Sequence, residues 1–349
     1  MKIKQKTDIL IVIGSRPQYI KLAPLIFYLK KTNILFKIID TNQHYDYELS
    51  EIFKKEFKLK DFDFRLNIKS SFHGEMTAMM IIKIEKILLK IKPKFLLVFG
   101  DTNSTLSGAL AASKLKIPII HIEAGLRSFS NIPEEINRVI TDKLSSINFC
   151  PSKNSYHNLL NEGIKKNNFV VGDIMFDSLN LFKNVSQKKS KILEKLKIEK
   201  NKYSILTIHR ENNVTDLIQL KRLLTYAQKN TTDNRIIFPI HPRTKNSLKK
   251  IKFKNNKISI IEPLGYLDML KLMLNCHLIF TDSGGLQKEA YFLKKKCVTL
   301  RDETEWTETL TNGWNKLWKQ KKIFKGKYKS FYGNGNASKK IIKIIQSFL

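Results

Sequence analysis

The sequence predicts an α/β protein made of two Rossmann-like domains, each built around a parallel sheet. Short apolar runs, such as residues 95–99, alternate with longer stretches of helical periodicity, as in buried parallel strands joined by helices. Five of these runs end in polar or charged clusters, for example at residues 100–102 and 281–285. Because open parallel sheets bind ligands at the carboxyl ends of their strands, these clusters predict the functional site.

The first alternating series predicts a domain over residues 1–183. Its first strand leads into a helix that begins near Pro17, because proline is favoured in the first helical turn. The strand runs are rich in Val, Ile and Phe, as expected for a sheet that is covered on both faces. The predicted strands lie at residues 9–13, 36–40, 95–99, 117–122, 147–150 and 169–173, and the predicted helices at residues 18–31, 76–91, 103–115 and 134–146.

A second domain is predicted over residues 184–328. The Lys- and Ser-rich segment 184–202 contains no buried strand pattern, so we expect the domain junction there. The tail, residues 329–349, has a Gly/Asn turn followed by a helix, which we expect to pack back on the first domain. The strands of the second series are predicted at residues 203–208, 236–240 and 278–280.

The charge of the chain is strongly positive. Lysine and arginine number 63 against 31 acidic residues, which gives a formal net charge of +32. A dedicated polyanion-binding surface is one explanation of such a charge. The lysines are scattered in pairs and triplets, however, and Ile and Asn are also abundant, which favours a compositional bias with lysines on solvated helix faces. We therefore predict no nucleic-acid partner, although the positive field favours anionic substrates.

The cysteines and the apolar segments predict a cytoplasmic protein without a membrane anchor. Cys150, Cys276 and Cys297 lack metal or redox spacing and lie beside apolar residues, so we expect buried, reduced thiols. The apolar stretch near the amino terminus runs straight into the charged residues 14–18, which predicts a first strand and not a signal peptide. No stretch approaches the roughly 20 apolar residues of a membrane span.

The turn after the first strand is a candidate phosphate site. Gly14 permits a tight turn, and Arg16 lies at the amino terminus of the following helix, where backbone N–H groups attract anions. Lys21 lies one turn further along this helix. An ordinary strand–helix turn would also explain this sequence.

A second phosphate candidate is the segment at residues 281–290. Gly284 and Gly285 let the backbone approach a diphosphate closely, and Ser283 adds a hydroxyl group at the start of the next helix. Glu289 can accept hydrogen bonds from ribose hydroxyl groups. The segment is neither a Walker A loop nor a complete GxGxxG motif.

Three carboxylates of the first domain are candidates for acid–base catalysis. Asp101, Glu123 and Glu134 follow neighbouring strands, and clustered carboxylates suit proton transfer. Helix capping is an alternative role for Asp101 and for Glu134. Glu123 is different, because the nearby Gly125 indicates a loop and not the start of a helix.

Histidine and arginine occur together at two strand ends of the second domain. His209 can transfer a proton and Arg210 can bind phosphate. His241 and Arg243 repeat this pairing after the next strand. No set of His, Asp and Cys residues has convincing metal-ligand spacing, so we predict no metal; the absence of any other cofactor is implied only by the family resemblance described next.

Nine motifs, in this order, resemble those of the non-hydrolysing UDP-N-acetylglucosamine 2-epimerases, and the resemblance covers nearly the whole chain. It implies a glycosyltransferase-B-like fold with the active site in the interdomain cleft. It also implies interconversion of UDP-GlcNAc and UDP-ManNAc without NAD or metal, in a homodimer. The motifs are GSRPQYIKLAPLI, TNQHYD, VFGDTNSTLSGALAA, HIEAGLRS, PEEINRVITDKLS, VGDIMFDSL, TIHRENN, TDSGGLQKEA and LRDETEWTE.

The resemblance also implies roles for individual residues and a mechanism. A base removes the C2 proton while the C1–O bond breaks and UDP leaves, and UDP then adds back to the 2-acetamidoglucal with reprotonation from the opposite face. Arg210 and His241 are added as substrate-binding residues from their strand-end positions. The implied diphosphate and uridine contacts are Arg16, Ser283, Gly284, Gly285 and Glu289, and the implied acid–base and sugar-site residues are Lys21, Asp101, Glu123, Glu134, Arg138 and His209.

Several positions depart from the family pattern and leave the substrate open. Lys288 replaces the first Glu of a typical QEEA, and residues 128–132 form a shorter loop than in many bacterial members. The short loop and the pair Glu305-Trp306 are more like the branch that includes UDP-2,3-diacetamido-2,3-dideoxyglucuronate 2-epimerases. That substrate is the alternative to UDP-GlcNAc. A hydrolysing epimerase and a glycosyltransferase are further alternatives.

Overall fold

The computed structural model describes residues 7–42, 56–57, 59, 62–68, 72–251, 253, 255–311, 313–321, 324 and 326–349. Residues 43–46 of the TNQHYD motif and residues 70–71 of the segment before the second long helix lie outside these ranges. The chain divides into two compact units. Unit 1 comprises residues Met1–Asn180 and Ser330–Leu349, and unit 2 comprises Leu181–Lys329.

Unit 1 contains a seven-stranded parallel sheet with the order β3-β2-β1-β4-β5-β6-β7. The order reverses between β1 and β4, and at such a switch point the strand ends open a crevice for ligands. The strands are β1 Ile9–Ile13, β2 Phe36–Asp40, β3 Phe64–Arg65, β4 Phe95–Phe99, β5 Ile119–Ile122, β6 Ile147–Cys150 and β7 Asn168–Val170. The helices are α1 Arg16–Leu29, α2 His73–Ile91, α3 Asn103–Lys114, α4 Pro133–Leu144, α5 Lys153–Asn161 and α6 Ile174–Lys189, and the division between the units falls within α6.

Unit 2 repeats this plan with a six-stranded parallel sheet in the order β10-β9-β8-β11-β12-β13. Its switch point lies between β8 and β11. The strands are β8 Ser204–Thr207, β9 Ile236–Pro239, β10 Ile258–Ile261, β11 Leu278–Thr281, β12 Lys296–Thr299 and β13 Asn315–Leu317. The helices are α7 Ile192–Leu196, α8 Glu211–Thr215, α9 Leu217–Lys229, α10 Pro242–Leu248, α11 Tyr266–Asn275, α12 Gly284–Phe292 and α13 Thr307–Thr311.

The last helix, α14 Ala337–Gln346, belongs to unit 1. Its buried residues Ile341, Ile342 and Ile345 join the apolar core that β1, β4 and α1 form. The buried carboxylate of Asp177 on α6 caps α14, because it accepts the backbone N–H groups of Ala337 at 3.0 Å and Ser338 at 2.6 Å. Within the ranges described, no helix is both long and apolar enough to span a bilayer.

Candidate active site

The turn between β1 and α1 is fixed by one buried glutamine. The Gln18 side-chain oxygen accepts the backbone N–H of Gly14 at 2.8 Å, and its amide nitrogen donates to the carbonyl of Phe99 at 2.9 Å. This side chain therefore joins the carboxyl ends of β1 and β4, the two strands at the switch point. Arg16 is the first residue of α1 and is exposed beside this turn, which suits contact with a charged ligand.

A buried ion pair lies at the ends of β4 and β5. The Lys21 Nζ atom is 2.6 Å from Glu123 Oε2, and the two side chains are only 7% and 8% exposed. Gly100 leaves room for the ammonium group, since a Cβ atom built there would lie 3.3 Å from Lys21 Nζ. The backbone of Glu123 has a φ of 74°, a left-handed conformation that a non-glycine residue adopts only when its surroundings impose it.

The surroundings of Glu123 are a buried polar network. His121 lies between the Gly100 carbonyl oxygen and the Asp142 carboxylate, at 2.8 Å from each. Asp142 also accepts the backbone N–H of Gly125 at 3.1 Å and the Arg127 guanidinium at 2.7 Å. The HIEAGLRS motif thus folds around Asp142, which fixes the residues on both sides of Glu123.

The second carboxylate, Asp101, is also paired with a cation. Its side chain forms an ion pair with the buried Arg138, which contacts Glu135 at 3.0 Å as well. Glu135 accepts the backbone N–H and the hydroxyl group of Ser128 at 3.0 and 2.9 Å, so it also holds the short loop before α4. Glu134, the third candidate, is exposed on the first turn of α4, and the structure does not join it to either ion pair.

In unit 2, one buried carboxylate organises the strand-end motif that contains His209. Asp282 has no exposed surface and accepts the backbone N–H groups of His209 at 3.0 Å and Arg210 at 2.9 Å. The Asn213 amide donates to the same carboxylate at 3.1 Å. The switch-point strands β8 and β11 are therefore tied together by Asp282, as Gln18 ties β1 and β4 in unit 1.

The orientation of the His209 ring follows from the same contact. Its Nδ1 atom lies 3.2 Å from Asp282 Oδ1, which leaves Nε2 as the nitrogen suited to proton exchange with a ligand. The His241 ring centre is 5.8 Å away. His241 also caps α10, because its Nδ1 atom accepts the backbone N–H of Arg243 at 3.3 Å.

The phosphate candidate of unit 2 is the amino terminus of α12. Ser283 is the N-cap residue, and its hydroxyl oxygen accepts the backbone N–H of Leu286 at 3.3 Å. Gly284 has no room for a side chain, since a Cβ atom there would lie 2.6 Å from Glu305 Oε1. Glu289 follows on the same helix and is buried. The backbone N–H groups of the first turn give this segment the character of an anion site.

Two departures from the family pattern contact each other beneath this turn. The Lys288 ammonium group lies 3.9 Å from the centre of the Trp306 ring, and both residues are almost fully buried. A desolvated cation on an indole face is stabilised by the ring quadrupole. Lysine at this position is therefore accommodated by the tryptophan of the TEW motif.

The sequence-predicted residues thus fall into two groups. Unit 1 pairs Lys21 with Glu123 and Arg138 with Asp101, whereas unit 2 places His209, Arg210, His241 and the Ser283–Gly285 turn at its own strand ends. The sequence did not reveal the buried residues whose side-chain hydrogen bonds and ion pairs fix the positions of these candidate residues. They are Gln18, His121, Glu135, Asp142 and Asp282.

The three cysteines are buried and free, as predicted. Burial raises the pKa of Cys276 to about 12, so this thiol is not poised for reaction. Among the residues that the structure describes, no three His, Cys, Asp or Glu side chains gather as potential metal ligands.

Comparison with known proteins identifies the class. Two parallel Rossmann-like sheets are typical of glycosyltransferase-B-like enzymes. Solved structures that are similar to this chain in fold include UDP-GlcNAc 2-epimerases. The chain belongs to the UDP-N-acetylglucosamine 2-epimerase family, whose profile matches residues 28–346. It is therefore an isomerase that acts on nucleotide sugars.

Three relatives place the chain within that family. A Methanococcus maripaludis protein named UDP-N-acetylglucosamine 2-epimerase homolog is 46% identical over 97% of this chain and 99% of its own length. The Methanocaldococcus jannaschii UDP-GlcNAc 2-epimerase, solved with UDP-GlcNAc and UDP, has a TM-score of 0.89 and 43% identity, over 97% of this chain and 99% of that chain. The Pseudomonas aeruginosa UDP-2,3-diacetamido-2,3-dideoxy-D-glucuronate 2-epimerase is 42% identical over 88% of this chain and 87% of its own length.

Proposed function

We propose that this chain interconverts UDP-GlcNAc and UDP-ManNAc without hydrolysis, by elimination and re-addition of UDP, and that the product serves the synthesis of surface polysaccharides. The observation that carries the proposal is the buried Lys21–Glu123 pair at the strand ends of unit 1, with Asp101 on the adjacent strand end. Ionisable groups in this setting suit removal and return of a weakly acidic proton.

The proposed reaction has two steps, elimination of UDP and its re-addition. A carboxylate removes the C2 proton, the C2–H electrons form the C1–C2 double bond, and the C1–O bond breaks so that UDP leaves with its electron pair. In the second step an acid delivers a proton to the opposite face of C2 while UDP re-forms the bond at C1. Glu123, Asp101 and Glu134 are the proposed proton carriers, with Lys21 and His209 assisting proton transfer.

Leaving-group stabilisation is assigned to cationic and backbone donors. UDP gains charge as the C1–O bond breaks, so donors that are already in place stabilise the transition state. Arg16 and Arg210 supply guanidinium groups, and the first turn of α12 supplies backbone N–H groups, whereas Arg138 is proposed as a contact for the sugar. Ser283, Gly284, Gly285 and Glu289 are the proposed UDP contacts on that helix, and His241 the proposed contact on α10.

The alternative substrate is UDP-2,3-diacetamido-2,3-dideoxyglucuronate. The observation in its favour is the 42% identity to the Pseudomonas aeruginosa enzyme, together with the TEW motif that packs on Lys288. Identity to the two archaeal UDP-GlcNAc 2-epimerases and their homolog is 44–46% over at least 96% of this chain, which favours UDP-GlcNAc as the first substrate.

A cytoplasmic homodimer is proposed as the working form. The buried free thiols fit a reducing compartment. Helices α2 and α4 expose apolar side chains, Ile82 and Leu89 on the first and Ile136 on the second, which a second copy could cover. Light scattering of the purified protein tests the dimer, and a monomeric mass at micromolar concentration would contradict it.

The deciding experiment incubates the purified protein with each UDP-sugar in D2O and follows C2 by NMR. Epimerisation of UDP-GlcNAc with deuterium at C2 supports the proposal. Turnover of the diacetamido-glucuronate sugar alone selects the alternative. Release of free ManNAc and UDP indicates a hydrolysing enzyme, and inversion with the original hydrogen retained contradicts the elimination mechanism.

A further inference from the structure

The His121 ring is fully buried, and each of its nitrogen atoms faces a hydrogen-bond acceptor. Nε2 lies 2.8 Å from the carbonyl oxygen of Gly100, and Nδ1 lies 2.8 Å from Asp142 Oδ1. A carbonyl oxygen can only accept, so Nε2 carries a hydrogen. A neutral ring has only one N–H hydrogen. If that hydrogen is on Nε2, the lone pair of Nδ1 points at a carboxylate oxygen.

Asp142 is held in its ionised form by its other partners. Its Oδ2 atom accepts the Arg127 guanidinium at 2.7 Å and the Gly125 backbone N–H at 3.1 Å. A carboxyl group that accepts a guanidinium and a backbone N–H is favoured in its charged form. Nδ1 of His121 therefore carries a hydrogen as well, and the ring is an imidazolium.

The charges around the ring balance. The groups that face this site are Asp142 from α4, Arg127 from the loop after β5, Glu162 from the end of α5 and the thiol of Cys150 on β6. Burial raises the pKa of Cys150, so it is neutral. Burial lowers the pKa of Arg127, but the hydrogen bond to Glu162 and the charge of Asp142 raise it more. Two cations and two carboxylates form the network, which avoids an uncompensated buried charge.

We infer that His121 is a positioning residue, held as a buried imidazolium, that clamps the end of β4 to the end of β5. Through Gly100 it fixes the residue before Asp101, and through Asp142 and Gly125 it fixes the loop that contains Glu123. Gly100 and Glu123 both have positive φ values, of 63° and 74°, so the two strand ends need such a clamp. The inference rests on the proposed epimerase function for its catalytic consequence, but the protonation state stands by itself.

The first test is spectroscopic and needs no substrate. Protein labelled with ¹⁵N-histidine is examined by long-range ¹H–¹⁵N correlation at about pH 7.5, where an ordinary histidine is mostly neutral. His121, assigned by its loss in His121→Gln, should show two protonated ring nitrogens. The exposed His157 is recorded in the same spectrum for comparison. One unprotonated nitrogen on His121 would overturn the inference.

The second test separates positioning from binding. Asp142→Asn keeps the shape of the network but removes the charge that requires the Nδ1 hydrogen, so it should leave one His121 nitrogen unprotonated. It should also lower kcat by on the order of 10²-fold, the cost of misplaced reacting groups, with little change in KM. Wild-type kcat in this variant would overturn the positioning role. A wild-type protein that shows the imidazolium but no epimerase activity would refute the proposed function and not the protonation state.

Discussion

The ammonium group of Lys21 lies 2.6 Å from the carboxylate of Glu123, beside Gly100, where a Cβ atom would lie 3.3 Å from the ammonium nitrogen. Because both groups are nearly closed to solvent, removal of the carboxylate would leave the Lys21 ammonium group without this counter-charge in a buried site. The two groups are therefore coupled, because protonation of Glu123 would weaken its attraction for Lys21.

Glu123→Gln should lose most turnover and keep UDP affinity. Glutamine preserves the shape of the side chain but cannot exchange a proton, and loss of a general acid–base group costs on the order of 10²–10⁴ in rate. The turnover is measured by NMR and the UDP affinity by calorimetry. Glu194→Gln, on the exposed surface of α7, is the matched control. Near wild-type kcat in Glu123→Gln would remove this residue from the chemistry.

The variants Asp101→Asn and Glu134→Gln, assayed in D2O, should show whether Asp101 and Glu134 transfer protons at different faces of C2. Epimerisation needs proton transfer at both faces of C2, so loss of one carrier should leave exchange at the other face. We expect one variant to put deuterium into the starting sugar without forming its epimer, and both to have strongly reduced inversion. Because Glu134 is exposed and lies apart from the Asp101–Arg138 pair, full inversion by Glu134→Gln would leave Asp101 and Glu123 as the carriers.

Arg16→Ala should weaken UDP binding and slow turnover together. UDP is bound in the ground state and gains charge as it leaves, so a guanidinium contact contributes to both. A charge-assisted hydrogen bond of this kind contributes roughly 1.5–3 kcal/mol. Calorimetry with UDP gives the affinity, and Arg222→Ala on the exposed face of α9 serves for comparison. An unchanged UDP affinity contradicts the proposed contact.

Asp282→Asn should lower both stability and turnover. The amide would place a donor against the backbone N–H groups of His209 and Arg210, and unsatisfied buried donors cost about 1–3 kcal/mol. The His209 ring would also lose the contact that orients it, with a drop in kcat of roughly 10²-fold. Asp216→Asn is the control, because asparagine replaces aspartate well as the N-cap of α9. A urea midpoint and a kcat like those of the wild type would refute this role.

Asp177 should make the stability of the protein depend on pH. Burial raises its pKa above the ordinary 3.8, against the N–H groups of Ser338 and Ala337, which lower it, and the charge of Asp173 adds to the rise. With the folded pKa above the unfolded value, the stabilising contribution is present below the unfolded pKa and is lost as the pH rises through the folded pKa. The difference in free energy of unfolding between wild type and Asp177→Asn should therefore fall as the pH rises from the unfolded pKa through the folded pKa. Urea unfolding across this range measures it, and a difference that grows with pH contradicts the assignment.

The sequence predicts the sheets and the strand-end positions well, because local apolar periodicity determines them. Strands β1, β4 and β5, and the motifs that follow them, need no knowledge of distant residues. The buried hydrogen-bond partners of these motifs could not be predicted from local sequence. The sequence places Asp282 in a candidate phosphate turn, whereas in the structure its carboxylate accepts hydrogen bonds from backbone groups more than 70 positions away along the chain. His121 within an apolar run gives no local signal of its contact with Asp142.

The surroundings of the three candidate carboxylates also depend on tertiary contacts that the sequence pattern does not reveal. Asp101, Glu123 and Glu134 were expected to form a cluster of like charges, but each of the first two lies against a cation, and Glu135 is the buried member of its pair. On a helix, adjacent residues point in directions about 100° apart, so which of two consecutive glutamates faces inward depends on where the helix packs. That orientation is a property of the tertiary structure and not of the motif.

The contribution of α14 to unit 1 bears on how the chain is made. Ala337, Ile341, Ile342 and Ile345 complete an apolar core whose other buried members lie before Asn180, and all of unit 2 is synthesised between them. During synthesis, the part of the unit 1 core that α14 covers therefore stays exposed while about 150 further residues are added to the chain. At a typical 5–20 residues per second, that interval lasts roughly 7–30 s, long enough for a nascent chain to need a chaperone.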